Sequence, residues 1–141
     1  MATITECVSA AGKAIPPLVI YKGKQHQQSW YKDLENGEVF FAVSKHGWTN
    51  SSLTLEWLRQ DFDSYTKCQA QGGYRMLLID GHSSHTTYAF FEYCLENRII
   101  PFCLPSHATH GLQPLDVGVF SPYQHYYGKA VMQKSVRHRE C

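Results

Sequence analysis

Net charge is what this sequence has least of. Thirteen Lys and Arg face twelve Asp and Glu over 141 residues, leaving +1 at pH 7 with the eight His neutral. A basic footprint for a polyanion must therefore be local. No apolar run approaches the ~20 residues that a helix needs to cross a bilayer. The opening Met1-Ala2-Thr3-Ile4-Thr5-Glu6 lacks the basic start and apolar centre of a signal peptide. No membrane partner is expected. The five cysteines (Cys7, Cys68, Cys94, Cys103, Cys141) are odd in number, scattered and without a C-x-x-C pair, which argues against a disulfide framework or a thiolate zinc site and for a reducing, intracellular compartment. No glycine-rich phosphate loop follows a strand, and Gly81-His82-Ser83-Ser84-His85 is not a G-x-S-x-G elbow. No internal repeat or low-complexity segment is present. The length suits one domain with one core.

What is present centres on Tyr74-Arg75-Met76-Leu77-Leu78-Ile79-Asp80-Gly81. The uninterrupted apolar run between turn residues reads as a strand buried on both faces, within a sheet covered by helices. Asp80 then stands at its carboxyl end, where open α/β sheets bind ligands. It is either an acid in that crevice or the cap of a turn before Gly81.

Upstream, Ala2 to Ala11 and Ile15 to Gly23 read as an antiparallel hairpin turning at Gly12-Lys13. A polar and aromatic excursion from Lys24 to Asn50 contains a strand at Glu38 to Val43. Asn50 and Ser51 are N-cap types, and Leu55, Leu58, Phe62 and Tyr65 repeat at helical spacing, predicting an amphipathic helix to about Cys68. After the Asp80 strand, Thr86 and Thr87 cap a second helix with Phe90, Phe91, Cys94 and Leu95 inward and Glu92 and Glu96 outward, ending at Asn97. Ile99 to Pro105 follows as a parallel strand reached by crossover, and Pro101 pushes it toward a sheet edge. A last helix is expected within Leu115 to Gln133, and residues 129–141 form a basic tail with Lys134, Arg137 and Arg139. A tail of this kind is ordinarily a solvated helix end, and phosphate contact is the lesser reading.

Two acids end apolar elements beside small residues: Asp80 before Gly81, and Asp116 between Gly111 and Gly118. They lie 36 positions apart, the span of a crossover helix and a return strand, so the fold can bring them to one rim. Carboxylates so placed suit the hard divalent cations Mg²⁺ or Mn²⁺, the ions of phosphodiester cleavage. Two His-x-x-His pairs, His82 with His85 and His107 with His110, lie in the loops that carry the acids. They read as DNA-facing groups or groups supporting the metal site, or as histidines satisfied by backbone carbonyls. An all-histidine zinc site is the weaker alternative.

Leu78-Ile79-Asp80-Gly81-His82-Ser83-Ser84-His85, Leu104-Pro105-Ser106-His107-Ala108-Thr109-His110 and Leu112-Gln113-Pro114-Leu115-Asp116-Val117-Gly118-Val119-Phe120 occur in this order, with Glu6-Cys7-Val8-Ser9-Ala10, Pro16-Pro17-Leu18-Val19-Ile20-Tyr21-Lys22-Gly23 and Gly47-Trp48-Thr49 upstream. As a set they closely resemble the DDE superfamily endonuclease domain of pogo-like transposases, which includes the Tigger and jerky groups and centromere protein B. The resemblance covers nearly the whole chain. It implies an α/β, ribonuclease H-like mixed sheet with flanking helices, nuclear location, DNA as partner, and DNA cleavage and strand transfer dependent on Mg²⁺ or Mn²⁺. By position, Asp80 matches the second catalytic and metal-binding acid and Asp116 the third.

The first acid of that family has no match. Its strand precedes the segment equivalent to Ala2 to Ala10, so residues 1–141 are expected to form a partial domain with the first strand missing. Glu6 is read as an ordinary strand residue, not a substitute. The family's helix-turn-helix DNA-binding region lies further upstream. The expected function is thus a fragment of a transposase-derived endonuclease, inactive alone and completed by an upstream segment. An unpaired sheet edge makes homo-oligomers a further expectation. The competing reading is a domesticated, non-catalytic module that binds nucleic acid or protein.

Overall fold

A computed structural model of the chain describes residues 2–25, 39–80, 87–105 and 115. The chain divides into two compact units, Met1–Cys103 and Leu104–Cys141. The elements below belong to the first. The expected final helix and the basic tail lie outside the described residues.

Strand β1 (Ala2–Thr5) pairs antiparallel with β2 (Leu18–Lys22), Thr3 facing Ile20 and Thr5 facing Leu18. The connection turns where the sequence predicts: Val8 bridges Ala14, and Gly12 takes φ +78°, a left-handed value that glycine adopts without a Cβ penalty. Strand β3 (Phe40–Ser44) then pairs parallel with β2, placing Lys22 opposite Ser44 at the two carboxyl ends. Alternation in β2 buries Leu18 and Ile20.

Asn50 caps the next helix as expected, its side-chain oxygen accepting from the Leu53 amide at 3.0 Å. The helix is not uniform. It runs as α1 (Ser51–Trp57), a π-helical segment (Leu58–Asp63) and α2 (Ser64–Lys67). The wider π turn, bonding i to i+5, lets Asp63 face inward along with Leu58, Asp61 and Phe62. Consequently the buried face is Thr54, Trp57, Leu58, Asp61, Phe62 and Asp63, while Tyr65, expected inward, is exposed. A regular 3.6-residue period has no means of anticipating an inserted wide turn.

Strand β4 (Arg75–Ile79) and strand β5 (Ile99–Cys103) pair parallel, Leu77 opposite Pro101, joined by α3 (Tyr88–Glu96). This is the predicted crossover. Pro101 sits in a strand whose sole pairing among the described residues is with β4, as its missing N–H requires. In α3, Phe90 and Cys94 are buried and Tyr93 is half-buried, but Leu95 is 78% exposed, against expectation. Its position one residue past Cys94 rotates it some 100° off the buried stripe.

One core draws on β2, β3, α1, the π segment, β4, α3 and β5: Leu18 and Ile20, Ala42, Trp57, Leu58 and Phe62, Leu77 and Ile79, Phe90 and Cys94, and Ile99. β4 departs from the expectation of burial on both faces. Leu77 and Ile79 are buried, whereas Met76 is 68% and Leu78 42% exposed. The apolar run is continuous in sequence, but among the described residues a helical layer covers one side only. The architecture is therefore mixed α/β, with a three-stranded mixed sheet in the order β1-β2-β3 and a parallel pair β4-β5.

Candidate active site at the end of a pinned strand

The strand that presents Asp80 is fixed at its opposite end. Arg75, its first residue, has its side chain only 10% exposed and meets Asp63 of the π segment, 8% exposed, in an ion pair at 2.6 Å. The same guanidinium donates to the Asn97 carbonyl at 2.6 Å and to Thr66 Oγ1 at 3.0 Å. Tyr93 Oη donates to Asp63 Oδ2 at 3.3 Å, and Lys67 stands 3.7 Å from the same oxygen. One charge cluster thus ties the 51–67 helix, β4 and the end of α3 together. Removing either partner of such a pair leaves an uncompensated buried charge, so the two elements that carry it are held together.

Four residues on, the strand ends. Asp80 follows Ile79 directly and is half-buried. Ile79 pairs with Cys103, so the carboxyl ends of two parallel strands lie side by side there, the location at which α/β sheets assemble ligand sites. A carboxylate is the hard oxygen donor that Mg²⁺ or Mn²⁺ takes. Of the residues assigned to the site by sequence, Asp80 is the one within the description. Asp116, His82, His85, His107 and His110 lie outside the described residues, and so does the expected meeting of Asp80 with Asp116. Among the described residues, no three His, Cys, Asp or Glu side chains gather as for a metal ion.

Two buried thiols are poor candidates for nucleophilic chemistry. Burial, offset in part by Arg75, pushes the Cys94 thiol up to about 11, and burial also raises Cys7. Both stay protonated at neutral pH and are poor nucleophiles. Asp61, buried in the π segment, is pushed up to about 6 by desolvation and then by the neighbouring Glu56 charge. It lies on the buried face of the π segment with Leu58 and Phe62.

Two groupings escape sequence reasoning. The Asp63–Arg75 cluster depends on the π turn, and its only sequence signal is an Asp five residues after Leu58. A cleft lined by Lys22, Ser44, Lys45, His46, Trp48, Thr49 and Asn50 depends on the parallel pairing of β2 with β3, which no local pattern specifies.

The family model described as DDE superfamily endonuclease matches residues 1–140 of the chain. A protein of Cochliobolus lunatus named MFS-type transporter clz9 is 40% identical over 129 residues, which is 92% of this chain and 14% of that protein. A Homo sapiens protein named Pogo transposable element with ZNF domain is 24% identical over 110 residues, 78% of this chain and 7% of its own length. The chain therefore spans a small part of these curated relatives. Among the described residues no helix is long and apolar enough to cross a membrane. No solved structure matches the chain.

Proposed function

The chain belongs to the DDE superfamily endonucleases, and from that premise we propose that it is part of a ribonuclease H-like, DNA-cleaving core, supplies the carboxylates Asp80 and Asp116, and leaves DNA uncut by itself. The observation that carries this reading is the match over residues 1–140 combined with the place of Asp80 at the carboxyl end of a parallel strand pinned by a buried ion pair.

Endonucleases of this superfamily generally use divalent metal. The residues fit such a group in kind, since Asp80 brings a half-buried hard donor at a strand end and Asp116 would bring the second. When bound, Mg²⁺ or Mn²⁺ supplies water activation and charge stabilisation for phosphodiester cleavage. The role of the chain is to hold the carboxylates at fixed positions. Two such acids without a third hold the metal poorly, and the loss of one carboxylate's several kcal/mol of charge stabilisation lowers turnover by orders of magnitude.

The divided sheet supports the same reading. Strand β1 pairs with β2 alone and β4 with β5 alone among the described residues, while β2 and β4 feed one core. A strand carrying the first acid, inserted between β1 and β4, would complete a ribonuclease H-like sheet and set its acid beside Asp80. A DNA-cleaving function carries a nuclear location with it, which is part of the same proposal.

The test is a pair of measurements on the full chain. Supercoiled plasmid incubated with Mg²⁺ or Mn²⁺ should remain un-nicked, and robust cleavage would refute the inactivity. Water-proton relaxation should detect weak Mn²⁺ binding that Asp80→Asn and Asp116→Asn each abolish. Binding that survives both substitutions rules out the two-acid site.

A further inference from the structure

Parallel pairing of β2 with β3 brings Lys22 and Ser44 opposite each other at the strand ends, and the chain from Lys45 to Asn50 then wraps the cleft of about 450 Å³ that they open. Lys22, Lys45 and His46 are exposed, and no acid is among the described lining residues. In a chain of net charge +1, this is a local concentration of cationic and polar groups.

The loop is held firmly while its largest side chain is not. Thr3 Oγ1 donates to the Gly47 carbonyl at 2.6 Å, Ser44 Oγ donates to the Trp48 carbonyl at 2.8 Å, and the Gly23 amide donates to the Ser44 carbonyl at 3.0 Å. Gly47 is buried and takes φ +77°, which a residue with a Cβ resists. Trp48, at the cleft, is nonetheless 56% exposed. A fixed backbone presenting an exposed aromatic beside lysines matches a pattern of single-stranded nucleic-acid recognition, in which cations track phosphates and a ring stacks on a base. The cleft volume is within the range of small-ligand sites.

We propose that this cleft binds one nucleotide of a DNA strand, with Lys22 and Lys45 on its phosphates and Trp48 stacked on an unpaired base. The choice of DNA as the polymer rests on the endonuclease reading; the cleft itself shares no residue with Asp80 or Asp116. An exposed or frayed strand end would be gripped here, and a fully stacked duplex would engage the lysines alone.

The experiment measures binding of the full chain to a fluorescent duplex with a short single-stranded overhang, and to its blunt counterpart, across a salt series. Lys22→Ala with Lys45→Ala should flatten the salt dependence on the overhang by about 1.4 in slope, two single-strand phosphates at ~0.7 each. Trp48→Ala should weaken the overhang complex about ten-fold and leave the blunt duplex unchanged. In a Trp30→Phe background, a trinucleotide should quench Trp48, whereas Trp57 is buried. All the substituted lining residues are exposed, and circular dichroism confirms that each variant folds.

DNA binding unaltered by these substitutions overturns the cleft and leaves the endonuclease reading intact. Polyglutamate competing as well as the oligonucleotide overturns it in favour of an acidic protein partner. An absence of DNA binding at low salt also overturns it, while Mn²⁺ binding at Asp80 and Asp116 judges the endonuclease reading separately.

Discussion

Replacing Arg75 with methionine removes one partner of a pair whose side chains are 10% and 8% exposed. The Asp63 carboxylate then remains at a site that water scarcely reaches, with Tyr93 Oη at 3.3 Å and the flexible, exposed Lys67 at 3.7 Å as its surviving partners. Breaking a buried pair from one side costs about 3–5 kcal/mol, a large share of the 5–15 kcal/mol typical of a domain. With a urea dependence of about 2 kcal/mol per molar, the unfolding midpoint should fall by roughly 2 M. The double variant Asp63→Leu, Arg75→Met removes both charges, and it should recover to within about 1–2 kcal/mol of the parent. The residual deficit reflects the Asn97 carbonyl and Thr66 hydroxyl, which lose their donor, and Tyr93 Oη, which loses its acceptor. Urea titrations followed by circular dichroism on the four proteins of this cycle give the coupling directly. A loss below about 1 kcal/mol for Arg75→Met, or a double variant as unstable as the sum of the singles, would refute the view that this pair pins β4.

Three further outcomes are expected. The Asp61 carboxyl, pushed up to about 6 from 3.8, binds its proton more tightly folded than unfolded, so stability declines as pH rises from about 4 to about 6. Asp61→Asn should therefore stabilise the chain by up to about 3 kcal/mol at pH 8 and by almost nothing at pH 4, read from urea midpoints at the two values. Asn50→Ala removes the cap on the Leu53 amide and should cost about 1 kcal/mol, seen as a lower thermal midpoint. Phe90, 1% exposed in the shared core, should cost about 3–5 kcal/mol on truncation to alanine, and retention of near-native stability would mean that α3 does not cover the sheet as described.

Much of this fold is legible in sequence where a local rule suffices. Gly12 marks its turn, Asn50 marks its helix, and the β4-α3-β5 crossover follows from two apolar runs flanking a helical stripe. Departures occur where a non-local fact decides. The π turn places Asp63 inward because Arg75, twelve residues away, is there to meet it. Exposure of Met76 and Leu78 depends on which side of a strand receives a layer, information that an unbroken apolar run does not hold. Asp80 is legible as an acid at a strand end, and the pairing of Ile79 with Cys103 just before it follows from the parallel register. The Lys22 and Lys45 cleft was not, because its two cations are 23 positions apart and meet through a strand pairing that neither strand encodes alone.

On β4 and β5, Met76 faces Ile100 across the register and Leu78 faces Phe102, and these four side chains are 42–68% exposed. Water wetting such a hydrocarbon terrace raises the free energy of the unit relative to any state that dries it, at roughly 25 cal/mol for each Å² covered. Concentration, hydrophobic dyes and mild surfactants should thus govern the behaviour of this chain in the tube as much as its chemistry does.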